Sequence, residues 1–335
     1  MRNWYYIYTE LTHLSNHYTT SHPSSMEEGQ VHLLRVCPGG PEGDGTLSVI
    51  LSDKRMSDEE MREVASGYGH MSGFAFPTRA GSECDYEIRL WDPRYELDNC
   101  AHGMIGTVWL LSKLGMMSGN NLYIWSKTGR VEARITKTPG KDSTKDNIWV
   151  EYSYPKCTIM NNVANKHHLD VILRDLNIKI EDLVPESAIQ NVGTNRMVKT
   201  LIPIKSVAKL NELELEYGLI RKNLGRIQSN GMCLYAIDDH NPYEYELRQI
   251  PENWRDWEET ATALAFGVLL NGVVHDHSQI LKIRQRLDGD RHREINLRFR
   301  TWGSSVTGLW IGGTAEYGTE KRETGKTTSW ETDTK

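Results

Sequence analysis

The feature that most constrains the fold is an apolar helix, predicted to begin near His102 and to end at Gly115. Its apolar side chains lie on more than one face of the helix, and a helix of that kind packs against neighbours on several sides. Glycine after the last turn is the usual helix C-terminus. We therefore expect this helix to be deeply buried. The apolar positions include 105, 108, 109, 111 and 114.

The start of this helix has the features of a reactive site. Asn99 is predicted as the N-cap, and the small residues that follow it allow a ligand to approach the backbone. The first turn of a helix carries free N–H groups and a partial positive charge, which favour an anion such as a carboxylate. Cys100 and His102 would flank that anion. The pattern therefore indicates a proton-transfer site.

The composition limits the class of protein. The chain has 335 residues, of which 38% are hydrophobic and 25% charged, and this indicates a soluble globular protein of two domains. A net charge of −6 argues against a nucleic-acid partner. No apolar run approaches the roughly 18 residues of a membrane span, and the N-terminus has no signal-peptide core.

The five cysteines are scattered and odd in number, so we expect reduced thiols and a cytoplasmic location. No Cys-x-x-Cys pair occurs, and no metal site is expected.

The order of predicted elements suggests an internal duplication. Each half has strands, a surface helix, more strands and one apolar helix, the second of which is closed by Gly272. We expect an N-terminal domain over 31–137, completed by about 300–318, and a C-terminal domain over 146–299. The polar residues 1–30 are expected to extend from the fold, and 319–335 to form a disordered tail.

Local patterns predict the individual elements. Ser57 and Glu60 form a capping-box pattern at the start of a surface helix that runs to about Gly67. A hairpin is predicted through Ser126–Gly129. A further helix is predicted at 206–212. Strands are predicted at 31–36, 46–51, 74–76, 86–91, 122–125, 131–135, 147–152, 197–204, 232–237, 245–250, 294–300 and 306–312.

Six segments in order resemble motifs of the phenazine-biosynthesis isomerase (PhzF-like) family, over about residues 31–318. The resemblance implies an α/β (α+β) fold of the diaminopimelate-epimerase type. In that fold, two similar domains each wrap a mixed, curled β-sheet around a central apolar helix. The resemblance also implies a cofactor-free enzyme, commonly a homodimer, that acts on a small molecule bound between the two domains. The segments are 43–51, 57–61, 100–106, 127–131, 258–265 and 311–315.

The sequence departs from the family pattern at the reactive positions. Gly73 stands where the family has its catalytic glutamate, and Ala263-Leu264 replaces Gly-Ser. Glu259 replaces an aspartate and is one methylene longer, whereas His102 keeps the family residue. The isomerisation of a dihydro-hydroxyanthranilate that is typical of the family is therefore not expected.

The leading hypothesis is a cofactor-independent isomerase or cyclase for a small, secondary-metabolite substrate. His102 and Glu259 would relay protons, with Cys100 as a third catalytic candidate. The missing side chain at Gly73 would leave a roomier pocket, walled by aromatic residues and suited to a pericyclic step. The predicted substrate contacts are Gly73, Phe74, Ala101, Gly103, Trp257, Thr260, Thr262, Ala263 and Ser304, with Trp254 as a further wall.

Two other functions remain open, as do structural explanations of the same residues. Cys100 and Thr260 could instead serve a dehydratase or epimerase, because a thiol at a helix N-terminus can act as a base. The chain could also be an inactive small-molecule-binding or scaffold protein. Structurally, Cys100 could be an inert buried thiol, His102 a helix cap, and Glu259 a first-turn residue favoured by the helix dipole.

Overall fold

The computed structural model describes residues 31–37, 45–139, 146–155, 157–162, 166–185, 189–193, 198–251, 264, 279–286 and 292–318. Within these residues, 17 strands form one continuous sheet, accompanied by five α-helices. The strands are β1 Val31–Val36, β2 Thr46–Leu51, β3 Ser72–Pro77, β4 Tyr86–Asp92, β5 Tyr95–Leu97, β6 Asn121–Ser126, β7 Gly129–Pro139, β8 Asp146–Pro155, β9 Thr158–Asn162, β10 Gln190–Gly193, β11 Val198–Pro203, β12 Gly231–Ile237, β13 Glu244–Pro251, β14 Ile280–Arg286, β15 His292–Trp302, β16 Ser305–Gly313 and β17 Ala315–Tyr317. The helices are α1 Asp58–Tyr68, α2 Ala101–Lys113, α3 Lys166–Asp175, α4 Val207–Glu212 and α5 Tyr217–Asn223, with short 3-10 helices at Ile180–Asp182 and Leu224–Ile227.

The two halves of the sheet repeat one pairing order, as the duplicated sequence pattern predicts. In the first half, β1–β2, β3–β4, β6–β7 and β7–β8 are antiparallel, whereas β2–β3 and β4–β6 are parallel. In the second half, β10–β11, β12–β13, β14–β15 and β15–β16 are antiparallel, and β11–β12 and β13–β14 are parallel. Parallel neighbours require a crossover connection, and α1 and α2 supply the two in the first half.

Strands β8 and β16 join the two halves. They pair antiparallel with each other, from Val150 opposite Gly313 to Pro155 opposite Gly308. Beyond this seam, β9 continues from β8 to pair with β10, and β17 continues from β16 to pair with β1. Each half of the sheet therefore curls back on itself, and both halves share the seam strands.

Helix α2 lies inside the first half. Every residue from Ala101 to Ser112 is buried, which confirms the prediction from its apolar faces. Close packing needs glycine on the helix, because a Cβ at Gly106 would come within 3.0 Å of Leu47 and Val36. Leu264 is helical, fully buried and part of the same core cluster as the inward-facing residues of the second half. The predicted α/β class with a curled sheet around a central helix is confirmed.

Helix α1 packs on the outer face of the first half and carries the predicted capping box. Glu60 N donates to Ser57 Oγ at 3.2 Å, and Ser57 N donates to Glu60 Oε2 at 2.7 Å. The helix ends at Gly69, whose φ of +70° favours glycine. Met61 and Ala65 of α1 contribute to a separate outer core cluster.

The predicted strands and hairpin appear in the structure, but several elements were missed. They are β5, β9, β10, β14, β17, α3 and α5. Strands β5 and β17 have only three residues each, too few for alternation to be recognised. The limits of the two domains remain proposed, and residues 1–30 and 319–335 lie outside the described residues. Among the described residues, no helix has the length and apolar character needed to cross a membrane.

Candidate functional site

The N-terminus of α2 follows directly from the β4–β5 hairpin, in which Leu90 stands opposite Leu97. The prediction that Asn99 caps this helix is wrong by one residue. Cys100 is the N-cap, with an extended backbone (φ −155°, ψ 117°), and its Sγ accepts a hydrogen bond from Gly103 N at 3.3 Å. The sulfur takes the place of the oxygen that usually caps this N–H group, and it is a weaker acceptor. Asn99 Oδ1 instead accepts from the Tyr152 hydroxyl at 3.4 Å.

That contact places the start of α2 at the seam between the halves. Tyr152 belongs to β8 and is 1% exposed. It stands opposite Ala133 of β7 on one side and Ile311 of β16 on the other. The first turn of α2 is therefore held against the strands that both halves share.

The Cys100 thiol has a second sulfur contact. It donates to Met71 Sδ at 2.9 Å, and Cys100 is 2% exposed. The two contacts hold the Cys100 side chain at the start of the helix. In this arrangement Cys100 acts as a structural cap.

His102 lies in the first turn of α2 and is only 4% exposed. Its neighbour Ala101 is also 4% exposed, and Gly103 faces Leu90 so closely that a Cβ there would come within 3.0 Å of the leucine. A buried imidazole in the first turn of a helix, where the helix dipole favours negative charge, is a suitable arrangement for proton transfer to an anionic ligand. The structure thus brings together Cys100, Ala101, His102 and Gly103, as predicted from their adjacency.

The surroundings of Gly73 differ from expectation. Gly73 faces α2, and a Cβ at this position would come within 3.0 Å of Thr107 Oγ1. The helix therefore fills the space that we expected to be a roomier pocket. Thr107 is fully buried, and its hydroxyl has no hydrogen-bond partner among the described residues.

Phe74 points the other way. Adjacent residues of a strand face opposite sides of the sheet, and Phe74 packs with Met61 and Trp91 in the outer cluster beneath α1. The structure therefore does not bring Phe74 to the start of α2 as a wall of the predicted pocket. Ser304 lies in the exposed turn between β15 and β16.

The remaining predicted site residues lie outside the described residues: Trp254, Trp257, Glu259, Thr260, Thr262 and Ala263. Their roles remain predictions. The described residues contain no group of three or more His, Cys, Asp and Glu side chains arranged to hold a metal ion.

A charge network that was not predicted braces the chain as it enters α2. Arg89 of β4 pairs with Glu96 and, at 2.9 Å, with Asp58 at the start of α1. Lys127 of the β6–β7 turn lies 3.4 Å from Glu96 and 3.1 Å from Asp98. The hydrogen bond to Glu96 is the main reason that the pKa of Arg89 lies above its ordinary value. Apart from Arg89 and Glu96, which belong to one hairpin, the partners lie about thirty positions apart in sequence, so no local pattern could reveal them.

Known proteins share this architecture. The profile of the phenazine biosynthesis-like protein family (PhzC-PhzF) matches residues 42–301. An uncharacterized isomerase of Clostridium acetobutylicum is 24% identical over 200 residues, which are 59% of this chain and 62% of that protein. The chain thus spans less than two thirds of that relative.

Solved structures agree on the fold. A Bacillus anthracis phenazine biosynthesis protein of the PhzF family superposes with a TM-score of 0.69 at 16% identity, covering 87% of this chain and 97% of the other. A hydroxyproline epimerase from Agrobacterium vitis, with bound trans-4-hydroxy-L-proline, gives 0.53 at 13% identity, covering 86% and 91%. The family match, the repeated curled sheet and the buried α2 together lead to one conclusion: the chain belongs to the phenazine biosynthesis-like (PhzC-PhzF) family.

Proposed function

We propose that the chain is a cofactor-independent isomerase or cyclase that acts on a small organic substrate of the secondary-metabolite type. The observation that carries the proposal is the buried His102 in the first turn of α2, beside the seam between the halves. Histidine is the side chain whose charge changes most readily near neutral pH. The name of one relative, an uncharacterized isomerase, and that of a structure with the same fold, a hydroxyproline epimerase, both denote isomerisation, and they support this type of reaction.

In the proposed mechanism, His102 transfers a proton at the reacting carbon of the substrate. The partial positive charge at the N-terminus of α2 stabilises the negative charge that develops there. Glu259 is proposed as the second proton-transfer residue, on the basis of its sequence motif. Exclusion of water by the buried surroundings would strengthen each of these interactions.

The close contact between Gly73 and Thr107 restricts the reactions that the proposed site could catalyse. The family position for a glutamate carries no acid, and Thr107 blocks the addition of one without rearrangement. This supports a reaction in which His102 acts without that glutamate. A cyclase that orients its substrate and protonates it at a single atom would not need a glutamate at position 73.

Metabolite profiling tests the proposal. A strain that expresses the chain would be compared with strains that lack it or that carry His102→Ala, His240→Ala or Glu259→Gln. His240 is an exposed turn residue and serves as the matched histidine control. We expect an isomeric product of unchanged mass with the wild type and with His240→Ala, and accumulation of its precursor with His102→Ala. Full conversion by both His102→Ala and Glu259→Gln would refute the proton relay.

The same metabolite profile distinguishes the proposed activity from the two alternative functions. A product lighter by the mass of water, together with sensitivity to thiol alkylation, would indicate a dehydratase that uses Cys100. An unchanged profile in every strain would indicate a binding or scaffold protein. We also propose a cytoplasmic location, which is supported by five buried free thiols, and a homodimer.

A further inference from the structure

The segment that leads into α2 carries two carboxylates, those of Glu96 and Asp98, and both meet one lysine. Lys127 Nζ lies 3.4 Å from Glu96 Oε2 and 3.1 Å from Asp98 Oδ1. The ammonium group also donates to the backbone oxygen of Glu96 at 3.5 Å. One cation therefore holds together two negative charges that would otherwise repel each other. We refer to these three residues as the entry clamp.

The β6–β7 turn holds the backbone of Lys127 in place. Ser126 stands opposite Gly129, and Ser126 Oγ donates to Gly129 O at 2.8 Å and lies 3.1 Å from Thr128 Oγ1. The φ of Gly129 is +110°, a conformation that favours glycine. Ile124, two residues before Ser126, belongs to the main core cluster. A rigid turn on buried strands thus carries the lysine, and its side chain reaches across to the segment before α2.

Glu96 is anchored a second time, by the neighbouring strand. Arg89 of β4 pairs with Glu96 and, at 2.9 Å, with Asp58 of α1. The side chain of Glu96 is 11% exposed and that of Asp98 is 23% exposed. Charges that are partly shielded from water attract each other more strongly than exposed charges do. The entry clamp therefore joins Asp98 to a carboxylate that the sheet already fixes.

Asp98 lies two residues before Cys100, the N-cap of α2. Between them, Asn99 Oδ1 accepts a hydrogen bond from the Tyr152 hydroxyl at the seam. The chain that enters the helix is thus held by the entry clamp on one side and by β8 on the other. Because one residue separates Asp98 from the N-cap, a shift of Asp98 is passed on to the first turn of α2, which contains His102.

The first two turns of α2 have little stability of their own. They contain Gly103 and Gly106, and glycine is the least favourable helix residue after proline. Close packing requires both, because a Cβ at these positions would come within 3.0 Å of Leu90 and Leu47, respectively. The N-cap acceptor is a sulfur, which is weaker than oxygen. This end of the helix therefore depends for its position on the segment before it.

We infer that Lys127 is a positioning residue of the proposed active site. It acts through Asp98 on the first turn of α2 and holds His102 in the geometry that proton transfer requires. A proton-transfer group must lie within hydrogen-bond reach of the atom that it serves, so a displacement of about 1 Å slows the reaction strongly. This inference rests on the proposed function, because it assigns a supporting residue to the same proton transfer.

The NMR signals of the imidazole rings test the position of His102 in the full chain without any need for turnover. The protein would be prepared with isotope-labelled histidine, as wild type and as Lys127→Met. We expect the ring signals of His102 to shift or broaden in Lys127→Met, because its surroundings change when the first turn moves. The signals of His240, an exposed turn residue, should stay in place.

Hydrogen exchange of backbone amides measures the same displacement along the helix. The amides of Gly103 and Met104 both donate to Cys100 in the first turn. In Lys127→Met these two amides should exchange at least roughly fivefold faster than in the wild type, because local opening of this turn becomes easier. The amide of Leu114, which donates to Leu110 at the other end of α2, should keep its wild-type rate.

A conservative variant and a matched control complete the design. Lys127→Arg keeps a positive charge that can contact both carboxylates, so its ring signals and exchange rates should match those of the wild type. Lys222→Met removes an exposed lysine of α5 and should also match the wild type. In the metabolite profile, Lys127→Met should lower the conversion of the precursor at least roughly tenfold, and Lys127→Arg should restore it.

Unchanged His102 signals in Lys127→Met, or full conversion by that variant, would overturn the inference. Equally faster exchange at Leu114 and Gly103 would also overturn it, because it would show a general loss of stability. If Lys127→Met does not fold, Asp98→Asn decides the question, because it should produce the same changes at His102.

The two proposals fail in different measurements. Full conversion by both His102→Ala and Glu259→Gln would refute the proton relay, yet it would leave the effect of Lys127 on the ring signals and exchange rates intact. Loss of conversion in His102→Ala, together with unchanged ring signals in Lys127→Met, would support the relay and overturn only the role of Lys127.

Discussion

Thr107 Oγ1 fills the space into which a side chain at position 73 would extend, and a Cβ there would come within 3.0 Å of it. The closest approach between β3 and α2 therefore depends on a glycine. In the second half, Cys233 of β12 holds the equivalent position, because it pairs with Leu201 across the parallel ladder as Gly73 pairs with Val49. The two halves therefore differ at this position.

We predict that Gly73→Ala destabilises the fold by ~1–3 kcal/mol, because the added methyl group overpacks a closed contact. Urea denaturation measures the loss. Thr107→Ala removes the opposing atom, so the double variant should recover most of it. A double variant whose loss is the sum of the single losses would contradict this contact.

A second prediction concerns the packing of α2 against β1 and β2. Gly106→Ala places a methyl group within 3.0 Å of both Leu47 and Val36, and it should also cost ~1–3 kcal/mol by overpacking. Gly119→Ala, where no atom lies within 4 Å, is the matched control and should change stability little. Equal melting temperatures for the two variants would contradict the close packing of α2.

A third prediction separates capping from catalysis at Cys100. Serine is a better N-cap than alanine, so Cys100→Ser should keep the stability of the wild type and Cys100→Ala should lose about 1 kcal/mol. Chemical denaturation of both variants provides the comparison. Full activity of Cys100→Ser would exclude the thiol as a base. An equal loss of stability in both variants would show that the cap does not stabilise the helix.

A fourth prediction is a pH dependence at α1. Hydrogen bonds from Ser57 lower the pKa of Glu60 below its ordinary 4.5. A carboxyl group whose pKa is lowered in the folded state stabilises the fold above its unfolded pKa, and that contribution is lost as the pH falls through the folded value. Glu60→Gln should therefore melt below the wild type at pH 7.

The difference between the two proteins should vanish under acidic conditions, once Glu60 is protonated in the wild type. Glu59→Gln, one residue earlier in the same turn, is the control and lacks the box hydrogen bond. A gap between Glu60→Gln and the wild type that is independent of pH would contradict the capping box.

The elements that were predicted from sequence are those with local signals. The burial of α2 follows from its apolar faces, and the start of α1 follows from Ser57 and Glu60. Local signals could not predict which side chains of β3 face α2 and which face α1. Its residues from Ser72 to Phe76 are all buried, so both faces are covered and alternation disappears. The prediction therefore places Phe74 on the side of α2, whereas the structure places it on the side of α1.

The candidate site was predictable only in part for a similar reason. Cys100 and His102 are adjacent in sequence, and one helix turn brings them together. Tyr152, whose hydroxyl donates to Asn99, belongs to β8, and no local pattern reveals that contact. The ion pairs Arg89–Asp58 and Lys127–Glu96 likewise join residues about thirty positions apart.

The return of β16 and β17 to the first half has a consequence for biosynthesis. A ribosome releases the chain from its N-terminus, yet β1 gains its partner β17 only when residues 315–317 emerge. Until then, one edge of the first sheet exposes unpaired backbone groups, and α2 lacks part of its cover. The first half of the nascent protein must therefore wait in an unfinished state until residues 315–317 are synthesised, and premature termination near residue 300 would yield an aggregation-prone product rather than a functional half.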